Sequence, residues 1–90
     1  MSAERWLRLG ILTAPWGLRG EIKVRLDADF AYVKGITRVY VGPEHRAVDL
    51  LGVARRGRTY SVKLRGVNSI PDAEALRGLR LYLPRSALPP

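Results

Sequence analysis

The side chains able to do acid, base or nucleophilic chemistry are sparse in this chain, and their spacing argues against catalysis. The single histidine, His45, lies in Gly42-Pro43-Glu44-His45, a turn by composition. A lone loop histidine is ordinarily solvated and lacks the partners of a working acid or base. Asp27 and Asp29 flank the end of an alternating stretch, and Asp72 and Glu74 sit at the start of a short helical pattern. Turn formation explains the first pair and the positive end of a helix dipole explains the second. There is no cysteine, so no disulfide, thiol nucleophile or cysteine-held zinc can form. Gly17-Leu18-Arg19-Gly20 precedes a strand pattern, whereas phosphate-cradling glycine loops open a helix. No catalytic residue and no metal ligand set emerges, and the expectation is that the chain is not an enzyme.

What remains is recognition of anions. The net charge is +8, from 16 basic and 8 acidic residues, most of the basic ones arginine. Such a balance steers association with polyanions, and arginine suits bidentate contact with phosphate. Plain solubility is the competing explanation. Arg55, Arg56 and Arg58 cluster around Gly57, while Arg19 and Lys23 lie near Trp16 and Leu18. Trp16, Tyr60 and Tyr82 can stack on bases if exposed. The candidate partner- or RNA-binding residues are therefore Trp16, Leu18, Arg19, Lys23, Arg55, Arg56 and Arg58. Gly17 and Gly20 shape the loop between them. The bland alternatives are a structural turn with an anchoring aromatic and a solvated hairpin tip.

These residues must be held by the elements around them. The stretch from Thr13 to Leu26 organises the chain. Residues 15–20 read as a loop, since proline lacks a ladder donor and glycine accepts positive φ. After it, Ile22, Val24 and Leu26 alternate with Glu21, Lys23 and Arg25, the pattern of a half-buried strand. Further strands are expected over residues 6–12, 36–41, 47–54, 59–64 and 79–83. Leu50-Leu51-Gly52 breaks the alternation and predicts a bulge. Residues 55–58 connect a hairpin. Residues 30–35 read either as one helical turn or as a loop plugging an open end. A helix begins at the Ser69 cap, with Asp72 three residues on, and stops at Gly78.

Ninety residues, 47% of them hydrophobic, make one small globular domain. No apolar run is long enough to span a membrane and the first residues do not read as a signal peptide, so a soluble, non-secreted protein is expected. About six short strands with one short helix predict an all-β fold, a closed or nearly closed antiparallel barrel. A two-sheet sandwich is the alternative. The tail after Pro84 has linker composition and reads as a chain continuing into something longer.

Two stretches, in order, resemble the RimM family of bacterial ribosome maturation factors. The first is Gly10-Ile-Leu-Thr-Ala-Pro-Trp-Gly-Leu-Arg-Gly-Glu-Ile-Lys-Val24. The second runs from Leu64-Arg-Gly-Val-Asn-Ser-Ile-Pro-Asp-Ala-Glu-Ala-Leu-Arg-Gly to Leu79-Arg-Leu-Tyr-Leu-Pro84. Ile11 and Ile70 stand where Lys and Arg are common in the family, Arg65 replaces a frequent acid, and Asn68 replaces a frequent Asp. The resemblance implies a six-stranded antiparallel barrel like those of elongation factors and some reductases, over residues 1–84. Residues 85–90 would start a linker to a C-terminal domain. It implies late maturation of the small-subunit head and processing of 16S rRNA. The partners would be immature small subunits, small-subunit ribosomal protein nineteen and ribosomal RNA. No enzymatic activity, cofactor or membrane is implied, and a cytoplasmic monomer is expected.

Three readings stay open at this point. The first is an assembly factor docking through Trp16, Leu18, Arg19 and the hairpin arginines. The second is a general RNA-binding barrel. The third is a structural module whose binding surface lies in a downstream domain.

Overall fold

The computed structural model describes residues 5–87. The polar lead expected over residues 1–5 lies outside these save Arg5, as does the end of the expected linker, residues 88–90. Among the described residues the strands are β1 (Trp6–Trp16), β2 (Glu21–Leu26), β3 (Arg38–Val41), β4 (Arg46–Arg56), β5 (Thr59–Leu64) and β6 (Arg80–Pro84). Two short helices intervene, α1 (Phe30–Val33) and α2 (Ile70–Glu74), and a 3-10 turn covers Arg85–Ala87. Every strand pair is antiparallel, and the order β1-β2-β5-β4-β3-β6 closes on itself. The fold is the expected barrel, and closure rules out the sandwich.

Closure depends on the two long strands, β1 and β4, each of 11 residues. Each bends so that its two halves serve different neighbours. The first half of β1 pairs with β6 and the second with β2, with register shifts at Arg8/Gly10 and Leu12/Ala14. β4 turns from β3 to β5 through a shift at Leu50/Gly52, where the broken alternation predicted a bulge. Bulges bend a strand and strengthen its twist. At Gly10 a Cβ would lie 2.5 Å from the Arg25 carbonyl oxygen, so only glycine permits β1 and β2 to approach there.

The barrel interior is filled by the inward residues of the alternating strands, among them Leu9, Leu12, Ile22, Val24, Val39, Leu50, Val62, Leu64 and Leu81. One end is closed by α2, whose Ala73 is fully buried and whose neighbours Leu76 and Leu79 pack on the core. Ser69 caps α2 as expected, accepting from the Asp72 amide. The Asp72 carboxylate reaches the Asn68 amide, one residue before the usual capping-box donor. The helix ends at Glu74, sooner than the stop at Gly78 suggested. Bonds from Leu76 to Ala73 and from Leu79 to Leu76 tighten the chain into turns, and Gly78 takes φ +85°. The ambiguous residues 30–35 hold one helical turn, capped by Asp29, with Val33 buried.

Two further expectations need correction. Residues 15–20 are not all loop: Pro15 and Trp16 belong to β1, opposite Ile22 and Glu21, and only residues 17–20 turn. Proline is tolerated there because a bulge precedes it. Arg55 and Arg56 are likewise strand residues, and the hairpin turns on Gly57 and Arg58 alone.

Candidate functional site

The register sets where each candidate side chain sits. Lys23 lies opposite Ser61, and Trp16 opposite Glu21, all on the outer face. The Lys23 ammonium stands 5.0 Å from the centre of the Trp16 ring, a cation–π contact that leaves the indole half-buried. Arg56 reaches across β5 from β4. Its Nη2 is 2.9 Å from Glu21 Oε2, and its Nε donates to Ser61 Oγ at 3.2 Å. Ser61 Oγ donates in turn to the same carboxylate oxygen at 3.2 Å. Ser61 points outward yet is 1% exposed, because this network covers it. Trp16, Lys23, Glu21, Ser61 and Arg56 therefore form one continuous outer strip.

The remaining candidates leave this strip in opposite directions. The turn of residues 17–20 lies where β2 begins, and Leu18 there is 79% exposed beside exposed Arg19. The Gly57-Arg58 turn lies where β2 ends, since β5 runs against β2 with Val24 opposite Tyr60. Arg55 donates from Nε to the Gly57 carbonyl within its own hairpin, and Arg58 has no carboxylate partner among the described residues. The seven candidates do not form one patch. They mark two barrel ends joined by a strip in which Arg56 is already neutralised.

Gly17 and Gly20 shape the turn for different reasons. Both have positive φ, +70° and +86°. A Cβ on Gly17 would meet open space, but one on Gly20 would lie 2.2 Å from the Val67 carbonyl oxygen. Gly20 is thus pressed against residues 67–68, where Lys63 Nζ also donates to the Val67 carbonyl and to Asn68 Oδ1.

A family model described as the RimM N-terminal domain matches residues 7–88. The chain belongs to the RimM family. The ribosome maturation factor RimM of Microcystis aeruginosa is 40% identical over 90 residues, covering 88% of this chain and 45% of that protein. The Xylella fastidiosa protein of the same name is 37% identical over 95 residues, covering 97% and 54%. The chain spans about half the length of these curated relatives. Among solved structures, the RimM N-terminal domain of Thermus thermophilus superimposes with TM-score 0.80 at 32% identity, covering 96% of each chain. The 16S ribosomal RNA processing protein RimM of Pseudomonas aeruginosa gives 0.86 at 26% identity, covering 94% of this chain and 54% of that one. Seen on this RimM barrel, the two stretches that carry the family resemblance are one structure. Gly20 packs on Val67, and the Leu12 carbonyl accepts from the Gly78 amide while the Leu12 amide donates to Leu79.

Two features of this RimM-family surface lie outside the candidates expected from the sequence. Arg25, exposed and unpaired among the described residues, projects outward two places after Lys23 toward the Gly57-Arg58 end. The Glu21, Lys23, Arg25 alternation was the available signal. The second is an outer aromatic cluster. His45, expected to be solvated, is half-buried at φ +52° and stacks on Trp6 with ring centres 4.0 Å apart and planes 4° apart. Tyr82 meets His45 edge-on at 4.7 Å, and Trp6 lies 5.1 Å from Tyr40. Tyr60 stacks on Phe30 at 4.9 Å. Tyr60 and Tyr82, the candidate base-stacking rings, thus already have ring partners, and Trp16 carries Lys23. Elsewhere, hydrogen bonding from Arg65, aided by Arg38, holds the Asp49 carboxyl below its ordinary range. No described helix is long and apolar enough to cross a membrane.

Proposed function

We propose that this chain is the barrel domain, residues 1–84, of a cytoplasmic, non-enzymatic ribosome maturation factor. It acts in late assembly of the small-subunit head and in processing of small-subunit rRNA. The observation that carries this reading is 40% identity to a ribosome maturation factor along nearly the whole chain. The domain works as a monomer without a cofactor, docking on immature small subunits through ribosomal protein nineteen and ribosomal RNA. Residues 85–90 begin the link to a second domain. At the Gly17-Gly20 end, Leu18 makes an apolar contact and Arg19 a phosphate contact, with Trp16 and Lys23 forming the adjoining wall. At the other end Arg55 and Arg58 meet phosphates, joined by Arg25. Phosphate contacts position without reading sequence. Arg56 holds the strip through Glu21 and contributes less.

A second reading has an observation behind it. The chain spans about half of its relatives, and Arg8, Arg38, Arg56, Arg65 and Arg77 are committed to carboxylates. Recognition would then lie mainly outside this chain. A pull-down with immature subunits, mature subunits and naked rRNA separates the readings. The chain is compared with an Arg19→Ala, Arg55→Ala, Arg58→Ala variant. Preference for immature subunits, weakened about tenfold or more by the triple change with a shallower salt dependence, supports a working surface on this domain. Equal binding to all three would reduce it to polyanion attraction. No binding would move recognition to the other half.

A further inference from the structure

The barrel closes, yet one piece of strand edge remains free. Leu50 donates from its amide to the Thr37 carbonyl, at 2.9 Å. Antiparallel ladders alternate, so Arg46 and Val48 direct their backbone groups toward β3, while Ala47 and Asp49 turn theirs away. On that far side β5 reaches only as high as Leu64, opposite Leu50, and the Arg65 amide takes the Asp49 carbonyl. The Ala47 N–H and C=O and the Asp49 N–H face outward with no backbone partner among the described residues.

This edge borders an open groove of about 900 Å³ between the β3–β4 hairpin and the α2 region. Its apolar lining includes Val48, Val67, Ala75, Leu76 and Leu79. Arg38, Arg46 and Arg65 are balanced there by Glu44, Asp49 and Asp72. In a chain of net charge +8, this concavity is locally neutral. That balance gives no electrostatic reason for a polyanion to enter, whereas free backbone donors and acceptors beside apolar side chains fit another strand. The free edge is short, and it lies across the groove from the α2 region with Ala47 exposed.

We propose that this groove binds an extended, uncharged peptide segment of a protein partner, adding a short strand to β4 at Ala47 and Asp49, with alternate apolar side chains on Leu76 and Leu79. The groove adjoins the Gly17–Gly20 end through Val67, but the peptide site at Ala47 and Asp49 uses none of the cationic candidates and stands or falls independently of the assembly reading.

The test uses the 15N-labelled chain and a blocked hexapeptide of alternating valine and threonine. Its twin is methylated on the peptide nitrogens. Binding should shift the Ala47 and Asp49 amide resonances and slow their hydrogen exchange, and the methylated twin should do neither. Ala47→Pro removes the outward N–H without touching the β3 ladder, at an edge position where proline is tolerated. Ala75→Trp fills the groove from an exposed position and serves if the proline variant does not fold. Each folded variant should bind about tenfold more weakly or worse. The proposal is overturned if the peptide leaves those amides unmoved, if the methylated twin or the variants bind equally, or if oligouridine shifts the same amides in the peptide's place. Concentration-dependent self-association through these amides would also overturn it, by giving the edge to a second copy.

Discussion

Gly17 and Gly20 bracket one turn, but replacing them should cost different amounts. At Gly17 an added methyl meets nothing, so Gly17→Ala should cost only the left-handed backbone penalty, about 1 kcal/mol. At Gly20 the same penalty is joined by a clash with the Val67 carbonyl, and Gly20→Ala should cost about 3 kcal/mol. Urea midpoints measure both; equal losses would mean that the contact between the turn and residues 67–68 contributes nothing. Asp49 makes a pH prediction. Its carboxyl is held below the ordinary range chiefly by the hydrogen bond from Arg65, then by Arg38. A depressed folded-state pKa adds stability above the unfolded value of about 3.9, and that stability is lost as pH falls through the folded value. Asp49→Asn should therefore be less stable than the parent at pH 6 to 8, and the gap should close in acid below about pH 4. A gap that stays constant across an acid titration of the urea midpoint would show that charge is not the cause.

At the scale of elements, the short pieces owe their order to caps and packing. α2 has five residues, too few to persist alone in water. Ser69 anchors its first turn, and Ala73 ties it to the barrel interior. Ser69→Ala removes the acceptor for the Asp72 amide and should cost about 1 kcal/mol. Because α2 closes one barrel end, the loss should appear in the global unfolding midpoint. If the midpoint is unchanged, α2 frays independently of the barrel. The β1–β2 hairpin and the segment after β5 are also coupled, since Gly20 rests on Val67.

At the scale of the whole molecule, the β3–β6 seam is the shortest join in the closed sheet. It has only the pairs Tyr40–Tyr82 and Val41–Leu81, against six register pairs between β1 and β2. The outer cluster of Trp6, Tyr40, His45 and Tyr82 lies across this seam. Aromatic pairs of this kind contribute about 0.5–1.5 kcal/mol beyond their buried area. His45→Ala should therefore speed native-state hydrogen exchange at Tyr40, Gly42 and Tyr82 while leaving the amides of β2 and β5 little changed. A uniform acceleration over all strands would assign the cluster to global stability instead. On this prediction His45, isolated in the sequence and unremarkable as a catalyst, acts as a clasp on the barrel's outside.

Local patterns along the chain specify the class of fold and most of its elements. Alternation at Ile22-Val24-Leu26 and Tyr60-Val62-Leu64, the Ser69 cap, and the break at Leu50-Leu51-Gly52 are local signals, and local sterics and burial suffice to act on them. Composition sets the surplus of positive charge. How that charge is distributed depends on the closed barrel. Arg56 and Glu21 stand 35 residues apart, and only strand register brings them to 2.9 Å. The same closure sends Arg19 and Arg58 to opposite ends, hides Ser61 on an outer face, folds His45 onto Trp6, and leaves the Ala47 edge unpaired. Side-chain alternation is fixed within a strand, but which strands meet, and where one falls short of its neighbour, depends on the closed sheet as a whole.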